Sequence, residues 1–156
     1  MGPGVLQSVK TLMEAGAVKV EHNLKLKGSA EYDMNTNTLN VWFTEATDIP
    51  KKALIVHEAT HAAYDLAKIK MSVAESESIA YIAQCCYARA NAADPNDRLK
   101  AKTPEIDKVF EVAWGIAAKI QNGSNPDFKD CSNMRDAVSE HPFYSAKYAN
   151  SAGFNG

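Results

Sequence analysis

The chain has 156 residues, enough for one domain with its own core and too few for two. Hydrophobic residues make up 46%, the usual share for a globular protein. With 17 Lys+Arg against 19 Asp+Glu and no strongly basic stretch, binding to nucleic acid or an anionic membrane by charge is excluded as an expectation, and no apolar run is long enough to span a bilayer.

Val5, Leu6, Val9, Leu12 and Met13 recur at helical spacing ahead of Gly16, which predicts a helix over 4–15. The period then changes to two. Val18, Val20, Leu24 and Leu26 alternate with polar residues, so a half-buried strand is expected, with His22 on its apolar side as a core residue rather than a ligand. Lys27-Gly28-Ser29 reads as a turn. Tyr32 and Met34 in one run, and Leu39, Val41 and Phe43 in the next, flank Asn35-Thr36-Asn37-Thr38, which predicts a β-hairpin.

Asp48 ahead of Ile49-Pro50 is an N-cap signal, and the chain from Lys51 to about Lys70 lacks Gly and Pro. Ser72 with Glu75 forms a capping box that opens a second helix to about Ala92. Thr103-Pro104 starts a third, with Ile106, Val109, Phe110, Ala113, Trp114, Ala117 and Ile120 as its apolar stripe and Gly123 at its end. Phe128, Cys131, Met134 and Val138 mark a shorter last helix. The stretch from His141 is poor in pattern and is expected to be mobile. Early strands and late helices predict one α+β domain over 1–156, a small antiparallel or mixed sheet packed on helices, with its core over about 17–122.

Cys85, Cys86 and Cys131 fit neither a disulfide framework nor a Cys-x-x-Cys metal site, so free thiols are expected, with a bridge from Cys131 left open. The first residues lack the basic flank and apolar core of a signal peptide, so a cytoplasmic chain, one exported by another route, or one excised from a longer protein is expected.

The first long helix reads His57-Glu58-Ala59-Thr60-His61, a His-Glu-x-x-His pattern. At 100° per residue the two histidines lie about 40° apart, one turn from each other, so both imidazoles can meet one ion. Zinc suits two imidazole nitrogens. Glu58 flanks the ion, where it can act as the general base. The opposite face, Ile55, Ala59, Ala62 and Leu66, is apolar and small. A third ligand is required. An extended three-histidine motif would need Gly at 64 and His or Asp at 67, and the chain has Tyr64 and Ala67. Glu75 already caps a helix, while Glu77 shares its helix face with Ala80, Tyr81 and Gln84. Glu77 is the favoured third ligand, with Glu75, Asp65 and His141 as alternatives. Tyr64, Tyr81, His141 and Tyr144 are eligible to stabilise an oxyanion. Asp65 can either hydrogen-bond a ligand imidazole or stay solvated.

His57–His61 followed by Glu77-Ser78-Ile79-Ala80-Tyr81 resembles the gluzincin metallopeptidases, and the short gap between them resembles the small members called minigluzincins. The resemblance covers about 30–93. It implies a zincin-like fold, a Zn2+ cofactor, peptide-bond hydrolysis with Glu58 as base, and a sheet edge that aligns the substrate by strand addition. Leu39–Phe43 matches that strand by position. Two other readings stand beside it. One is a bacterial effector or toxin domain of the same chemistry, with one target protein and an inhibitor or immunity partner. The other is a non-catalytic zincin-like binding module.

Overall fold

The turn-forming run at Asn35-Thr36-Asn37 closes the expected hairpin. A computed structural model describes residues 10–11, 13–26, 29–145 and 152–153. In it β2 (Ala30–Asp33) and β3 (Thr38–Val41) pair antiparallel, with Tyr32 opposite Leu39. The Asp33 carboxylate accepts from the Asn35 N–H and the Thr36 hydroxyl, and Asn37 takes a φ of +51°, a left-handed conformation its short polar side chain tolerates. β1 (Lys19–His22) lies parallel on the other side of β3, so the sheet is mixed and its order is β1-β3-β2.

β1 corrects the expected half-buried strand. It ends at His22, and Leu24–Leu26 form a 3-10 turn. Val20 is 48% exposed and Leu24 78% exposed. The cause is placement: the first long helix packs mainly on β2 and β3, so the apolar side of β1 extends beyond its cover. His22 is exposed as well, with Nε2 3.0 Å from the Trp42 carbonyl oxygen, and is not a core residue. Most of the helix expected over 4–15 lies outside the described residues, of which 10–11 and 13–14 are helical. Residues 27–28 of the expected turn also lie outside them.

Helix α1 (Ile49–Leu66) starts where Asp48 accepts the Lys51 N–H at 2.9 Å, with Pro50 in its first turn. It stops four residues short of Lys70. Lys68 takes a φ of +55°, the Ile69 N–H reaches the Tyr64 carbonyl, and the Lys68 N–H reaches that of Asp65, a helix-ending pattern usually built on Gly. Helix α2 (Val73–Asn91) opens on the capping box: Glu75 N–H to Ser72 Oγ, and Ser72 N–H to Glu75 Oε2. Between them β4 (Met71–Ser72) pairs antiparallel with β5 (Ala152–Gly153). Helices α3 (Pro104–Gln121), α4 (Phe128–Glu140) and the single turn α5 (Pro142–Ser145) complete the described chain. Phe128 and Cys131 are exposed, against their expected place on the apolar stripe of α4, which buries Met134, Ala137 and Val138 instead. The three cysteines are free thiols.

Two apolar cores flank α1. Ala59 and Ala62 pack on Val18, Tyr32, Leu39, Val41 and Phe43. Ala53 belongs to the helical core of α2, α3 and α4, built around Cys85, Val109, Trp114 and Met134. α1 is thus held between a sheet and a helical layer, which fixes the orientation of the side chains on its remaining face.

Candidate metal centre

His57, Glu58 and His61 are all buried in the middle of α1. Small side chains at Ala59 and Ala62 let α1 sit close on the sheet, so the histidines turn toward α2. There they meet Glu77, which is largely buried. His57 Nε2 lies 3.3 Å from Glu77 Oε2, and His61 Nε2 lies 3.6 Å from Glu77 Oε1. One ligand atom from each residue falls within 4.8 Å of the others, the only such group of at least three metal-ligating residues found among the described residues. Tetrahedral zinc with bonds of about 2.0–2.1 Å separates its ligand atoms by about 3.3–3.4 Å, so this donor set fits.

Each imidazole is also held from behind. His57 Nδ1 is 3.0 Å from Gln84 Oε1, and His61 Nδ1 is 2.9 Å from Ser76 Oγ. Burial alone disfavours the protonated His57, but the Glu77 hydrogen bond and the Glu58 and Glu77 charges outweigh it and raise its pKa. Burial pushes the Glu77 carboxyl up, yet the His57 hydrogen bond and the two imidazoles carry it down to about 2.

Glu58 is in the opposite state. Its burial raises the carboxyl to about 7, with the negative charge of Glu77 adding to the effect and His57 opposing it. It accepts a backbone hydrogen bond from Tyr32 on β2. β2 is an edge strand, and β3 is central with both sides paired. The strand edge beside the site is therefore Ala30–Asp33, not Leu39–Phe43.

The tail reaches the same place. The Tyr144 hydroxyl donates to Glu77 Oε2 at 2.9 Å and also meets the Tyr81 hydroxyl. Tyr81 packs edge-on against His57, with ring centres 4.6 Å apart. Burial raises the pKa of both phenols, so both remain protonated donors. His141 is buried beside Tyr144, and its Nδ1 accepts the Phe143 N–H, which leaves Nε2 as its donor atom. Burial holds its pKa below the ordinary imidazole value.

Other candidates fall elsewhere. Glu75 is engaged in its cap. Asp65 accepts the Tyr32 hydroxyl at 3.0 Å, which ties α1 to the sheet and is neither of its two expected arrangements. Tyr64 lines a separate groove of about 700 Å³ with Ile79, Ile82 and Tyr87. Ser76 and the Tyr32 N–H were not foreseen. Ser76 adjoins Glu77 in sequence, but only the crossing of α1 and α2 shows which imidazole it meets. Gln84 carries a usable signal, since it lies about two turns from Glu77 on the same face. The chain matches no family model, no curated protein and no solved structure.

Proposed function

We propose that this protein is a metal-dependent peptidase of the gluzincin type on a zincin-like fold, with His57, His61 and Glu77 as ligands of a zinc ion. The convergence of these three donors, with the buried Glu58 beside them and bonded to an edge strand of the described sheet, carries the reading. A zinc ion there supplies Lewis acidity, which polarises a carbonyl and makes a water easier to deprotonate.

The chain's own residues do the rest. Glu58 takes a proton from the attacking water on a carboxylate oxygen and returns it to the departing amine nitrogen. Burial raises its carboxyl pKa in the metal-free chain, the direction that makes it the stronger base. An extended peptide added along β2, an edge strand among the described residues, would run past Glu58, aligned by backbone groups other than the Tyr32 N–H that Glu58 already accepts. Tyr144 is the best-placed donor for the developing oxyanion, and Tyr81 supports its hydroxyl. His141 offers a second donor from the same turn.

Cleavage profiling of a peptide library by the wild type and by Glu58→Gln tests this reading. Cleavage is expected from the wild type and a loss of at least ~100-fold from the variant, with metal content unchanged. Equal cleavage by both proteins would contradict it.

A further inference from the structure

The proposed site leaves one question of chemistry open: what fixes the histidines. Both Nε2 atoms face Glu77, so ligation needs a free lone pair there. A neutral imidazole has one proton, which must then sit on Nδ1. Behind each Nδ1 stands an acceptor, Gln84 Oε1 for His57 and Ser76 Oγ for His61. Both acceptors are buried, and both come from α2, the helix that also delivers Glu77. One helix therefore supplies a ligand and sets the tautomer of the other two.

Neither acceptor is ionisable. Nearby carboxylates are committed to other partners: Asp65 to the Tyr32 hydroxyl, Glu75 to its cap, and Glu58 to the Tyr32 N–H. A carboxylate behind a ligand imidazole raises its basicity and strengthens its hold on the ion. An amide or hydroxyl orients the ring without adding that charge.

The geometry points to Gln84 and Ser76 as positioning residues that lock both imidazoles in the Nδ1–H form, and to an uncharged pair that keeps the metal less tightly held than a carboxylate would. This rests on the metal-dependent reading above. The pair acts through the histidines and touches no reacting atom.

Zinc affinity of the full chain, measured by competition with a chelating indicator, tests it. The absorption spectrum of the cobalt-substituted protein and the melting temperature without metal are read alongside. Gln84→Met and Ser76→Ala are each expected to weaken zinc binding by about 10–100-fold and to alter the cobalt spectrum. Ser76→Thr, which keeps the hydroxyl, is expected to bind more tightly than Ser76→Ala. Gln84→Glu is expected to bind zinc more tightly than the wild type.

Unchanged affinity in Gln84→Met and Ser76→Ala overturns the inference, as does Gln84→Glu binding no tighter than the wild type. If Gln84→Met does not fold, Ser76→Ala and Gln84→Glu decide the matter. A wild type that binds no zinc overturns the metal-centre reading and this inference together. A wild type that binds zinc with unaffected variants overturns this inference alone.

Discussion

At Glu58 burial decides the chemistry. A carboxyl that ionises near 4.5 when exposed is raised to about 7 inside the site. Between those values the folded protein holds a proton that the unfolded chain has lost. The sign follows: this contribution to the stability of the metal-free protein is full below about pH 4.5 and is lost as pH rises to about 7. Glu58→Gln should flatten that limb in denaturant melts recorded across this window. A limb of the same slope in the variant would assign it to other groups.

His57 gives the opposite dependence for metal binding. Its pKa is raised, so an ion must displace a proton that the imidazole holds more firmly than an exposed one would. Affinity for zinc should therefore fall as pH is lowered, with the fall starting on the neutral side of the ordinary value of about 6.5. Glu77 does not share in this, since its carboxyl is held down to about 2 and is already ionised. Competition titrations at several pH values check it, and an affinity that stays flat into acid would refute it.

Among the elements, those fixed by local chemistry were legible in the sequence. The cap at Asp48 and the box at Ser72 and Glu75 depend on residues three apart, and both form as read. The hairpin follows from its turn residues in the same way. Ser72→Ala should cost about 0.5–2 kcal/mol of stability by denaturant unfolding, through loss of that cap. Ala62→Leu should cost about 1–3 kcal/mol, because Ala62 is fully buried where α1 meets the sheet and a larger side chain must push the helix away. The same displacement should weaken metal binding.

Pairings between distant segments were not legible. β1 joins β3 in parallel, and nothing local to Lys19–His22 signals which strand it meets or that α1 leaves it uncovered. Its alternation was real, but alternation reports two faces and not whether a layer packs on either. The pairing of β4 with β5 joins residues about eighty apart, through two residues of each strand. Tyr144 reaches Glu77 from 67 positions away, a contact set by the docking of the tail rather than by any motif.

Over the whole molecule the site occupies the seam between two cores. Ala59 and Ala62 tie α1 to the sheet, and Ala53 ties it to the helices. Tyr81 links the site to the helical core by packing on both His57 and Phe110. The three candidate donors are therefore held from both layers, which fixes their mutual geometry. Among the described residues no helix is long and apolar enough to cross a membrane. The four-residue constellation of His57, Glu58, His61 and Glu77 carries the specific reading.

The most direct measurement is the metal content of the purified protein after dialysis against zinc, with Glu77→Ala and Glu75→Ala beside it. Retention of about one ion per chain is expected in the wild type and in Glu75→Ala, with loss in Glu77→Ala, because the ligand set needs its third member. No ion in the wild type, or equal retention in the two variants, would contradict a centre built from His57, His61 and Glu77.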